Sequence, residues 1–413
     1  MTKKTITMLI TLLLCASVLA GCTSDDEIEL DGEDGGYEYA SNVDNHRMLM
    51  GDVCDIKDLS GAYDWDEVSD IYENGKYAEK SDGSFRTLEG FASASGKNHA
   101  YDAFYGADGS WDDFVSAAID GTGAFAGESD TVRDQAVEKG IQNGVMTAYA
   151  IHELNAAIIK AEAGNWGPDD AQHAWDEGWA FYHGPDDSDH DYDGCGPFAT
   201  AAKRGGNFGT GDATNIATLA AMNAGLTALE NEDMQGVIDA RDEVLRQIVI
   251  VYSQASVRYA SKMTADLAAG DKDDYDKHQA EGHAFYRVIE AYVAEYTSIC
   301  YNMVSHTVSS DNSQASCEAY MYLENYTSSN DPNGEEFTGC YNSVTHAQHE
   351  GMSEEECNAF GWYANYYNGK ILEIFDLNND GDATVDYEDQ IRSYLQPVWD
   401  HYGITADDIG TLQ

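Results

Sequence analysis

Two acidic side chains stand in nearly the same setting: Glu177 in EGWAFYHG (Glu177–Gly184) and Glu281 in EGHAFYRV (Glu281–Val288). At about 100° per residue on a helix, the Glu, Ala and Phe of E-G-x-A-F-Y share one face. Phe and Ala are core types, so each Glu is turned inward, where an unpaired carboxylate is costly. The Gly admits a close neighbour. A histidine precedes each Glu by about one turn, His173 and His278. Aligning the preceding helices back from Gly164 and Gly270 sets His152-Glu153 against Arg258-Tyr259. Four inward-facing helices would then offer Glu153, Glu177, Tyr259 and Glu281 as metal ligands, with His152, His173 and His278 nearby. Carboxylate and phenolate oxygens suit Fe3+, and imidazole widens the choice to Fe2+ or Zn2+. The chain has only nine Arg, so Arg258 in a repeat core is a candidate to hold carbonate or another co-bound anion. The plainer alternative is a set of buried Glu–Arg and Glu–His pairs with a purely structural role.

The elements that must position these groups are helical. Asp130–Ala163 places Val137, Ile141, Val145, Ala148, Ile151 and Leu154–Ile159 at steps of three and four. A Gly-Asn-Trp-Gly-Pro turn ends it, and Pro168-Asp169-Asp170 opens the helix that carries Trp175–Tyr182. The layout returns with a long helix from Arg241-Asp242 to Gly270 and a second carrying Glu281–Tyr286. Between the copies lie a Gly- and Asp-rich connector, up to Asp212, and a helix at Asn215–Leu229; Asp64–Phe125 reads as short helices and loops. The expected fold is all-α: duplicated helical hairpins (131–184 and 241–290) forming a pseudo-twofold bundle, with extra short helices and a disulfide-stapled C-terminal segment.

Bulk composition narrows the function classes. The chain has 413 residues, 43% of them hydrophobic, with 22 Lys+Arg against 75 Asp+Glu and a net charge of −53. That charge argues against nucleic acid and against anionic lipid surfaces. It fits a surface solvated for salty water, the plainer reading, and is compatible with one that gathers cations. Lys3, Lys4 and the apolar run Ile6–Val18 read as a signal peptide (1–21). Leu19-Ala20-Gly21-Cys22 resembles the bacterial lipobox, which would leave Cys22 acylated and the protein exported and tethered by lipid, at the outer membrane and periplasm or the cell surface. The acidic stretch that follows reads as a flexible spacer over 22–45, ahead of a helical domain at 46–365.

Six further cysteines remain. CYNMVSH at Cys300 and CYNSVTH at Cys340 begin a second repeat (300–360), each with another Cys after the same interval. Local pairs Cys300–Cys317 and Cys340–Cys357 follow, leaving Cys54–Cys195. His306 and His346 keep a metal alternative open. The terminal piece, 366–413, holds DLNNDGDATVDYED, which begins like an EF-hand loop with Gly381 at the turn. Its calcium candidates are Asp376, Asn378, Asp380, Asp382 and Asp389; the alternative is an Asp/Asn turn in an acidic chain.

Four stretches carry a resemblance: Ala62–Ala92, Phe104–Gly127, Lys139–Ala161 and the two hexapeptide hairpins. Over roughly residues 46–300 the chain resembles the low-iron-inducible periplasmic proteins of algae, iron-assimilating proteins related to phytotransferrins. The resemblance implies extracellular iron binding in support of uptake, with ferric iron favoured, carbonate as a candidate co-ligand and a transporter or permease as the downstream partner. It implies no catalytic turnover. Two rivals stand beside it. A di-iron or other metal enzyme would suit the carboxylates and histidines, but the E-x-x-H order of such bundles is missing at these helices. A calcium-stabilised structural or adhesive surface lipoprotein would suit the tail.

Overall fold

The computed structural model describes residues 30, 32–97, 99–186, 194–310, 313–327 and 336–413. The expected signal peptide and Cys22 lie outside the described residues. A small hairpin, Glu33–Asp34 (β1) and Tyr37–Glu38 (β2), stands near the start. Of the spacer expected over 22–45, the described part from residue 32 onward departs from the expectation. Its composition favours solvation, yet Asp34 and Tyr37 are fully buried. The Asp34 carboxylate accepts from Nε and Nη2 of Arg47, each at 2.6 Å, and Tyr37 donates to Asp176 at 2.7 Å. A bidentate pair of this kind tolerates burial because both charges are hydrogen-bonded.

Short helices follow: Asp44–Arg47 (α1), Leu49–Gly61 (α2), Trp65–Asn74 (α3), Leu88–Ala92 (α4), Ala100–Tyr105 (α5) and Ser110–Asp120 (α6). Asp52 on α2 is fully buried and accepts the backbone N–H groups of Lys76 and Tyr77, while its Oδ2 has no partner. Burial, only partly offset by those N–H groups, pushes its carboxyl up to about 7. The folded state therefore holds the proton more tightly than the unfolded chain does. Stability that is present below the ordinary carboxylate range is lost as pH rises through about 7. Asp52→Asn removes that loss. Its stabilising effect in urea unfolding grows from near zero at pH 4 to on the order of 3 kcal/mol at pH 8. A gain independent of pH contradicts this reading.

The first hairpin runs through Asp130–Lys139 (α7), a π-helical turn at Gly140–Val145, Met146–Glu162 (α8) and Ala171–His183 (α9). Ser129 caps α7 by accepting from the Val132 N–H. The π turn brings Gly144 against Trp111; a Cβ there would lie 2.3 Å from the indole Cζ3. The Gly- and Asp-rich connector contains a helix, Gly196–Phe208 (α10), with Pro197 in its first turn and Ala201 and Phe208 buried. Ala213–Glu230 (α11) leads to the second hairpin, Met234–Ala269 (α12) and Lys272–Val293 (α13). α12 starts ahead of Arg241 because the Asp233 side chain caps it at the Gly236 N–H. The hexapeptide glycines sit at close approaches. A Cβ on Gly178 would lie 2.8 Å from Leu154 Cδ2, and one on Gly282 would lie 2.1 Å from Phe375 Cε1.

The molecule is mostly helical, but the stapled segment departs from the all-α expectation. It holds Ile299–Asn302 (β3), Thr307–Val308 (β4), Gln314–Cys317 (α14), Tyr320–Thr327 (β5), Glu336–Asn342 (β6), Gln348–His349 (β7), Glu354–Cys357 (α15) and Phe360–Tyr363 (β8). The two copies exchange strands. β3 of the first pairs with β8 of the second, and β6 of the second pairs with β5 of the first, all antiparallel. Asn302 and Asn342 occupy matching places: each accepts two turn N–H groups and donates to a carbonyl just before or at the end of a short helix of the other copy. All three expected disulfides are formed. Tyr366–Ile374 (α16), Tyr387–His401 (α17) and Ala406–Ile409 (α18) return to the helices, with Trp399 donating to Ser253 at 3.0 Å. Gly32–Gln413 packs as one unit.

Candidate metal centre

The seven candidate ligands fall into two clusters. The first joins Glu153 of α8 with Glu177 and His173 of α9, and adds His46 of α1. His46 Nδ1 and His173 Nε2 both lie 3.2 Å from the same Glu177 oxygen, Oε1. His46 is buried, and its Nδ1 aims at that oxygen without hydrogen-bond alignment. Glu153 and Glu177 share a hydrogen bond. His152 Nε2 stands 3.9 Å from Glu153, and its ring lies 4.4 Å from that of His99. Phe91, Tyr149 and Phe181 wall the site, with Phe181 5.6 Å from the His46 ring.

The electrostatics follow from burial around two facing acids. Burial and then the Glu177 charge push Glu153 up to about 8, so one carboxyl keeps its proton near neutrality. Glu177 is held low against the burial penalty, chiefly by the His173 hydrogen bond. Burial lowers His46 and His152 to about 4, which leaves both imidazoles neutral and able to offer a lone pair. His173 is raised by its hydrogen bond to Glu177. Arg86 faces both acids and is itself lowered by burial.

A second layer orients His173. Ser41 Oγ donates to Asp176 Oδ2 at 2.7 Å and so accepts from His173 Nδ1 at 2.9 Å. Nε2 is thereby left facing Glu177. Carboxylate-anchored imidazoles of this kind are the usual support of metal ligands. His46, Arg86, Ser41, Asp176 and His99 are not among the candidates drawn from the sequence. His46 and Arg86 lie outside the repeats, so no internal copy marks them. Asp176 was visible as a second acid beside Glu177 on a helix of core residues.

The second cluster holds Tyr259, Glu281 and His278. His278 Nδ1 is 2.6 Å from Asp266, its Nε2 is 3.0 Å from Lys262 Nζ, and Glu281 stands 3.9 Å away. Lys139 and Arg204 face Tyr259, and Lys139 also feels Glu281. Arg258 neighbours Lys262, not an acid of the first cluster. Among the described residues no hydrogen bond or ion pair joins the two clusters. The calcium candidates do not converge. Asp376 accepts from Asn378, Asp382 from Thr384, and the exposed Asp380 pairs with Lys272 at 3.0 Å; Asp389 lies in the first turn of α17. Among the described residues no group of three or more His, Cys, Asp and Glu side chains is placed to hold a metal ion. The donor types of the first cluster nonetheless suit a cation: two acids and two imidazoles, one of them with an unpartnered Nδ1 3.2 Å from Glu177.

A helical, disulfide-bonded protein with an acid–imidazole cluster inside its first hairpin is the class that fold and site define. The chain belongs to the low iron-inducible periplasmic protein family, Fea1, which it matches over residues 9–283. The match spans both clusters and ends before the cysteine repeat. No curated protein and no solved structure matches the chain.

Proposed function

We propose that this protein captures iron outside the cytoplasm and passes it to an uptake partner without turnover, tethered by lipid on Cys22. Glu153, Glu177, His46 and His173 are its ligands, with His152 in reserve beside Glu153. The observation that carries this reading is the convergence of His46 Nδ1 and His173 Nε2 on one Glu177 oxygen, each at 3.2 Å, beside a second carboxyl. Membership of a family named for induction by low iron supports iron as the cargo. Two carboxylates favour Fe3+, and the imidazoles extend the set to Fe2+. Entry of the cation displaces the proton that Glu153 holds near neutrality, so binding releases protons. Arg86, the guanidinium that faces both acids, is where a carbonate co-ligand would sit.

The test is titration of metal-stripped protein with ferric and ferrous iron, with and without bicarbonate, beside metal analysis of protein purified without chelator. Stoichiometric iron binding supports the reading; failure of both ions to bind overturns it. Ser41→Ala tests the supporting layer. It removes the acceptor of His173 Nδ1 and is expected to weaken iron binding about 10- to 100-fold while leaving helix content unchanged. Unchanged affinity would remove Ser41 and Asp176 from the site.

A further inference from the structure

Aligned in sequence, the second hairpin carries different charges from the first. Where α8 carries His152-Glu153, α12 carries Arg258-Tyr259. Around Tyr259 stand Arg204, with its guanidinium carbon 5.6 Å from the ring centre, and Lys262, with Nζ at 6.0 Å. Lys139, paired with Glu138 at 2.6 Å, completes the group. Lys203 is depressed by burial and then by the neighbouring charges of Lys57 and Lys139, which reports a locally positive field. Six of the 22 basic residues in a chain of net charge −53 are thus gathered in one region.

Acids offset only part of this charge: Glu138 pairs with Lys139, Asp266 with His278, and Glu281 faces Lys139 and Lys262. Arg204 is 7% exposed, and its Nε and Nη1 have no hydrogen-bond partner; the same holds for Nε of Arg258. An unsatisfied buried donor costs about 1–3 kcal/mol, and more when charged. Guanidinium N–H groups left free in this way fit the oxygens of an anion, which a planar fork binds with two donors. We propose that the second hairpin holds a small oxyanion on Arg204, with Arg258, Lys139 and Lys262 around it, separate from the metal cluster and independent of iron. The chemistry is that of an inorganic anion with several acceptor oxygens.

Metal-stripped full-length protein is the material for the test, so the outcome does not depend on iron. Its melting temperature is followed with inorganic phosphate, sulfate and bicarbonate against chloride at equal ionic strength. At least one oxyanion raises it by roughly several degrees near saturation, and the strongest of the three identifies the anion. Arg204→Gln abolishes the shift, and Arg258→Gln weakens anion binding about tenfold by isothermal titration. Arg246→Gln, at an ion pair with Asp408 outside the cluster, leaves it intact. The proposal is overturned if no oxyanion exceeds chloride, or if a folded Arg204→Gln protein responds as the wild type does. Should Arg204→Gln not fold, an unweakened Arg258→Gln response overturns it instead.

Discussion

Glu177→Gln lowers iron affinity about 100-fold or more, whereas Glu281→Gln leaves it within roughly threefold. The contrast follows from position, not from sequence context, since both residues sit in the same hexapeptide. Glu177 Oε1 is the atom on which both imidazoles converge and the carboxyl that bonds to Glu153. The amide keeps the shape but supplies no charge and turns a donor toward the site. Loss of a supporting residue alone costs 10- to 100-fold at metal sites, so loss of a charged ligand costs at least the upper end. Glu281 faces Lys139 and stands beside His278 and Tyr259, out of hydrogen-bond or ion-pair contact with the first cluster. Titration of both variants by isothermal calorimetry, with circular dichroism to show intact helices, measures the difference. Equal losses in the two variants would return the glutamates to one shared site.

Asp34→Ala destabilises the protein by up to about 3–5 kcal/mol in urea unfolding, the usual cost of removing one partner of a buried ion pair. The side chain left behind is Arg47, 2% exposed and bonded to Asp34 through two nitrogens; it keeps Asp44 at 3.0 Å from Nη1. Asp34 also accepts from Tyr39 at 2.7 Å, and its backbone carbonyl accepts from Trp179 Nε1 at 3.0 Å. The effect reaches function because His46 directly precedes Arg47 on α1. Loosening that helix frees one of the two imidazoles that meet Glu177, so iron affinity falls together with stability. A change below about 1 kcal/mol, the range of exposed pairs, would show that this contact is not closed in solution.

Asp34 also shows where the sequence stops being readable. TSDDEIELDGEDGGYEYA is acidic and Gly-containing, which composition alone assigns to a solvated spacer. The order of its described residues, 32–40, comes from Arg47 and Asp176, partners that no local pattern announces. The hairpins are legible because apolar steps of three and four end at Gly164 and Gly270, and the observed helices stop there. The disulfides are legible because the cysteines recur at one interval. The inward turn of Glu177 and Glu281 is legible from helix geometry, but which neighbours each meets is not. Helix pairing decides that, and it places His46 against one acid and Lys139 against the other. The strand exchange in the cysteine repeat has the same character. Alternation in Ile299–Asn302 admits a strand, yet its partner β8 comes from the other copy.

Anomalous diffraction at the iron edge, from crystals of the iron-loaded protein, tests the central claim most directly. The account predicts one peak between Glu153 and Glu177, with His46 Nδ1 and His173 Nε2 at about 2.0–2.2 Å, the usual metal–imidazole distance. A peak at Tyr259 and Glu281, or none in either hairpin, would contradict it.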